Sequence, residues 1–189
     1  MLWSIRPTSD LRAGSAVRLD LAGLVDGSEI GLEGRVLSTR VELDALGRPY
    51  TRATLAVTRD LIGDSRGPFD VLIPGGVLPT GTGLLLPGMP ALHPGEEVFL
   101  FLTEASATGV RVPVGLAQGK FRIERDSNGG RTLVRDGAEL LLLDSLSLQR
   151  TSVGLAAVYD YAAFMAEVQA LAARRRSLAV PPAVQTEVK

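Results

Sequence analysis

The feature that most constrains this chain is an alternation of period two, interrupted at short intervals by glycine and proline. Ile30, Leu32, Gly34, Val36, Ser38 and Arg40 alternate with Gly31, Glu33, Arg35 and Leu37. Successive side chains of a strand point to opposite faces, so this pattern predicts a half-buried β-strand. Asp44-Ala45-Leu46-Gly47-Arg48-Pro49 then supplies a turn, and Tyr50, Arg52, Thr54, Ala56 and Thr58 oppose Thr51, Ala53, Leu55 and Val57. The pair predicts a hairpin with Leu55 and Val57 facing inward.

The same logic runs on. Gly63 to Pro68 breaks the chain and Phe69–Ile73 reads as a short strand. Residues 74–95 are dense in glycine and proline and read as a long loop, with Leu84-Leu85-Leu86 adding a short covering strand. Glu97–Thr103 is nearly continuously apolar, which predicts a strand buried on both faces. Val110–Leu116 and Lys120–Arg125 read as further strands, and Asp126-Ser127-Asn128-Gly129-Gly130 as a hairpin turn into Arg131–Arg135. Asp20 to Asp26 predicts a short helix, with Asp20 as N-cap and Gly27 as C′ residue.

From Thr151 to Arg176 the period becomes helical. Val158, Tyr161, Phe164, Met165, Val168, Leu171 and Ala172 fall on one stripe; Thr151 or Ser152 can cap its start, and Arg174, Arg175 and Arg176 suit the negative end of the dipole. The expected fold is one mainly β domain: a small antiparallel barrel of OB-like or SH3-like type, or a sandwich. It comprises an irregular segment 1–19, a barrel 20–150, a helix 151–176 packed on the barrel and a flexible tail 177–189.

A chain of 189 residues with 46% apolar and 22% charged residues can bury its own core without disulfides or metals. The formal charge of −1 gives no global attraction to nucleic acid or to an acidic membrane. Cysteine is absent, which removes thiolate metal sites and cysteine nucleophiles. Only Lys120 and Lys189 are lysines among 20 basic residues. The opening segment is interrupted by charges and shows no signal-peptide core, and no run is long enough to span a bilayer.

Each chemical motif meets a structural reading that explains it better. His93, the only histidine, sits between Leu92 and Pro94 in the glycine–proline stretch, where it reads as a loop residue. Gly115-Leu116-Ala117-Gln118-Gly119-Lys120-Phe121 evokes a phosphate loop, but it has three residues between Gly115 and Gly119 where four are needed, and Phe121 replaces the hydroxyl residue. Its glycines are expected to permit a bulge or a tight crossing. Asp126–Gly130 departs from a calcium loop at Arg131 and Gly137, and reads as a hairpin. Glu96 and Glu97 are consecutive and should diverge, while Asp64 with Asp70 is a second carboxylate pair. Nine aromatic residues, with Phe99, Phe101, Phe121 and Phe164 read as core, leave little for stacking bases.

Five segments taken in order resemble an uncharacterised family of bacterial proteins, often exported, known mainly as compact β-rich domains. They are Gly34-Arg35-Val36, Tyr50-Thr51, Ile73-Pro74-Gly75-Gly76, the run from Pro94 to Leu102, and Gly115 to Phe121. The resemblance implies a periplasmic or extracellular place and carries over no catalytic residue.

The functional expectation is a non-enzymatic binding or structural module of the bacterial envelope, working by contact with another protein or a second copy. Neither cofactor, metal nor nucleic acid is expected. The contact residues expected are Leu84, Leu85, Leu86, Met89 and His93 in the glycine–proline stretch, with Tyr161 and Met165 on the helix. A hydrolase whose carboxylates gather only in the fold is one alternative; an OB-like oligonucleotide-binding protein is the other.

Overall fold

The computed structural model describes residues 15–135, 141–143, 150–153 and 157–179. The elements in chain order are β1 (Ser15–Val17), α1 (Leu21–Asp26), β2 (Ile30–Leu43), β3 (Pro49–Ile62), β4 (Pro68–Pro74), β5 (Gly76–Val77), β6 (Gly83–Leu84) and β7 (Glu97–Leu102). A single 3-10 turn, Leu116–Gly119, leads into β8 (Lys120–Arg125), and then come β9 (Arg131–Arg135), β10 (Leu141–Leu143), β11 (Arg150–Val153), β12 (Ala157–Asp160) and α2 (Tyr161–Ala179). Seven strands form one antiparallel sheet in the order β12-β9-β8-β7-β2-β3-β4. The chain is thus mainly β with one long C-terminal helix, as its periodicities predict. Among the described residues no ladder joins β12 to β4, so the sheet's two edges are not paired with each other.

The β2–β3 hairpin is the longest pairing, and its register slips at three places between Gly31 and Ser38. Such bulges bend and twist a sheet. Its turn is closed by the Asp44 carboxylate, which accepts from the amides of Leu46 and Arg48. The two faces of the sheet hold separate cores. On one, Phe99, Phe101, Phe121, Ile123 and Leu133 pack under Phe164, Met165, Val168 and Ala172 of α2 and Leu24 and Val25 of α1. On the other, Leu32, Val36, Ala53, Leu55, Val71, Ile73, Val98, Leu100 and Leu102 pack together beneath Leu92. Strand β7 is therefore buried on both faces, and Leu55 and Val57 point inward as expected.

Three local expectations are corrected. Val110–Leu116 is not a strand: Val110 makes one parallel bridge to Leu72, and Pro113 one antiparallel bridge to Leu102. Pro113 has no N–H to continue a ladder, and Gly115 turns left-handed at φ 64°. The helix expected from Thr151 begins at Tyr161, with the Asp160 carboxylate accepting from the Ala163 amide; the preceding residues pair with β9 instead. Helix α1 is capped by Asp20 as predicted, but Gly27 ends it in the right-handed region. Its lack of a side chain matters because a Cβ there would lie 2.9 Å from Val114 Cγ1.

Candidate functional site

The 74–95 stretch, read from sequence as loop, carries a small hairpin. β5 and β6 pair Gly76 with Leu84 and Val77 with Gly83, and the turn between them is closed by the Leu78 amide on the Thr82 carbonyl. The hairpin folds back on the sheet: the Gly75 amide donates to the Pro49 carbonyl, and the Thr51 hydroxyl donates to the Gly75 carbonyl. From Leu85 the chain crosses to β7 as a strap. Between strap, hairpin and sheet lies an open cleft of about 180 Å³ lined by Thr51, Ile73, Pro74, Leu84, Leu85, Leu86, Met89 and Leu92 with the intervening backbone.

The cleft mouth is apolar. Of the lining residues, Leu84 is 40% exposed and Leu85 79%; outside the lining, Val77 on β5 and Leu43 and Leu46 beside the β2–β3 turn are exposed as well. Isolated exposed leucines are ordinary on a protein surface; two consecutive ones lining a hollow mark it as a candidate contact.

The strap is pinned by an ion pair. Lys120 Nζ lies 2.6 Å from Glu96 Oε1 and donates to the Ala91 carbonyl at 2.6 Å. The two charged side chains are only 7% and 10% exposed. Glu96 Oε2 accepts from the His93 amide at 3.1 Å, and the Ala117 amide donates to the Gly88 carbonyl at 2.9 Å.

The outward face of the same hairpin is polar. Arg52 reaches Glu42 at 3.2 Å and Asp70 at 3.1 Å, and its guanidinium lies 5.8 Å from the Tyr50 ring centre. The Tyr50 hydroxyl, and then Arg52, hold the Glu42 carboxyl down at about 2. The Thr54 hydroxyl, and then Arg52, lower Asp70 as well.

On the helix side, the buried Glu33 carboxylate receives Arg131 and the Tyr161 hydroxyl, the latter at 2.6 Å. Arg131 lies 3.7 Å from the Tyr161 ring centre. Burial, and then Glu33, raise the Tyr161 hydroxyl above its ordinary range. This cluster ties the start of α2 to the sheet.

Of the residues singled out from sequence, Leu84, Leu85, Leu86 and Met89 come together in the cleft. His93 is exposed on the strap and does not line it. Tyr161 and Met165 belong to the opposite face, where Met165 is buried in the aromatic core at 3% exposure. Ile73 and Leu92, which form part of the cleft, and the Lys120–Glu96 pair were not singled out as sites. The available signal is that Lys120 is one of only two lysines among 20 basic residues.

The carboxylates weighed as pairs have separate partners. Glu96 faces Lys120 and Glu97 faces Arg125; Asp64 faces Arg66 and Asp70 faces Arg52. The Asp126 carboxylate accepts from the amides of Asn128 and Gly130, closing the expected hairpin turn. Among the described residues no cluster of three or more His, Asp or Glu is placed to hold a metal ion, and no helix is long and apolar enough to cross a membrane. No protein-family model, curated protein or solved structure matches this chain.

Proposed function

We propose that this chain is a binding module that seats one large aliphatic side chain of a partner polypeptide in the cleft beneath the β5–β6 hairpin. The carrying observation is the cleft itself: an apolar hollow rimmed by exposed Leu84 and Leu85. Its size argues for the class of occupant. Pockets for drug-sized molecules span roughly 300–1,000 Å³, whereas about 180 Å³ suits a single side chain. Exposed Leu84 and Leu85 would then cover the partner's backbone, as apolar interface cores do around an anchor. The bacterial envelope is the proposed compartment, on the sequence resemblance alone.

We also read the β2–β3–β4 and β7 strands as a rudimentary OB-like barrel in which Val110–Pro113 is the fifth, degenerate strand. The support is its parallel bridge to β4 and antiparallel bridge to β7. The oligonucleotide-binding alternative gains little from it, because Arg52 on the outward face is already paired with Glu42 and Asp70.

Selecting a random-peptide phage library on the full chain tests the proposal. Enriched peptides should share one bulky aliphatic residue, and Leu85→Asp should weaken them about tenfold, near 1.4 kcal/mol. Leu178→Asp, at an equally exposed leucine on α2, should leave them unchanged. Peptides indifferent to Leu85, or no enrichment, would refute the cleft as the binding site.

A further inference from the structure

The strap between β6 and β7 is held differently from the rest of the fold. Its ends are fixed by main-chain pairing: Leu84 lies opposite Gly76, the Gly95 amide donates to the Val36 carbonyl at 2.8 Å, and the Val36 amide donates to the Glu96 carbonyl at 2.9 Å. Between those ends, Pro87, Pro90 and Pro94 have no N–H to offer. The Met89 amide is spent locally on the Leu86 carbonyl. Two polar bonds described above reach the strap's middle from outside: the Ala117 amide to Gly88 and the Lys120 ammonium to Ala91. Apolar contact supplies the rest, through Leu92 in the core and Met89 packed against it.

We propose that Lys120 is the latch of a movable strap, residues 85–95, whose release deepens the cleft toward the aliphatic core. This rests on the cleft reading above and adds its regulation. Three observations converge on it. A buried ion pair holds a loop at a desolvation cost that roughly cancels its attraction, so its gain over an apolar residue is direction, not strength. That direction is specific: one ammonium fixes the Ala91 carbonyl and the Glu96 carboxylate, whose second oxygen fixes the His93 amide. And Met89 and Leu92 both line the cleft and pack on the core behind it, so moving them enlarges the existing hollow. Gly88 and Gly95, at φ 79° and 87°, lie at the middle and far end of the strap, where the backbone can turn.

Hydrogen exchange on the full chain, read with the fluorescence of the apolar dye anilinonaphthalene sulfonate, tests this. Lys120→Met keeps the stem and removes the ammonium. Exchange at the Met89, His93 and Ala117 amides, the hydrogen-bonded donors within and onto the strap, should accelerate about tenfold or more, while amides of β2 and β7 keep their protection. Dye fluorescence should rise, and Leu85→Asp added to the same chain should lower it. Glu96→Gln leaves Lys120 in place and serves as the second variant should Lys120→Met fail to fold; it should show the same pattern at smaller amplitude. Unchanged strap exchange in both, or acceleration spread evenly over the sheet, overturns the latch. Faster strap exchange without a dye response overturns the gating. Failure of the peptide selection with the latch pattern intact would instead sink the cleft reading alone.

Discussion

At the scale of single residues, the polar groups of this protein do different work according to their depth. Glu42 lies on an outward face, where the Tyr50 hydroxyl and the Arg52 and Arg40 guanidinium groups favour its charged form. Its folded value near 2 is below the ordinary 4.5, so its contribution to stability is complete above the ordinary value and is lost as pH falls from about 4.5 to 2. Thermal midpoints of the native chain should therefore drop through that window, and Glu42→Gln should flatten part of the drop; parallel curves for the two would contradict the network. Gln118 works at depth. Its carbonyl accepts from the Leu19 amide at 2.9 Å and its amide donates to the Val17 carbonyl at 2.9 Å, fastening β1 to the start of β8. The segment that evokes a phosphate loop thus holds a staple that its sequence does not announce.

At the scale of elements, the junction ahead of β8 is tightly constrained. A Cβ on Gly119 would sit 2.5 Å from the Val114 carbonyl oxygen and 3.0 Å from that of Phe101, both backbone atoms with little room to yield. Gly119→Ala should therefore destabilise the chain by ~1–3 kcal/mol, the range for overpacking a filled interior. Denaturant unfolding that shows no loss would contradict the close approach. The same scale shows what was legible beforehand. Strands β2, β3, β4, β7, β8 and β9 are visible because local alternation and turn residues such as Gly47 and Asn128-Gly129 act within a few residues of one another. The start of α2 was not visible: Val158 sits three residues before Tyr161 and completes a helical stripe equally well. Its pairing with Val134 of β9 instead makes it part of a strand. The strand expected over Val110–Leu116 is not formed for the reverse reason, since its apolar residues suggest a strand that Pro113 and left-handed Gly109 and Gly115 cut down to single bridges.

At the scale of the whole molecule, a seven-stranded sheet separates an aromatic core under α2 from an aliphatic core under the strap. Among the described residues, Glu33, Glu42, Asp64, Asp70, Glu96 and Glu97 each face a lysine or arginine. The open apolar hollow lies where the start of β3 and the end of β4 meet the β5–β6 hairpin and the strap. The leucine run that rims it could be read from sequence, because consecutive aliphatic residues among glycines and prolines are out of place in solvent. Its inner wall could not, since Ile73 and Leu92 are 19 residues apart in the chain and meet only through the fold. Methyl chemical-shift mapping of the isotope-labelled chain, titrated with a peptide enriched in the selection above, tests the central claim most directly. Shifts should concentrate on Ile73, Leu84, Leu85, Leu86, Met89 and Leu92; shifts centred on Met165 and the α2 face, or spread without focus, would contradict it.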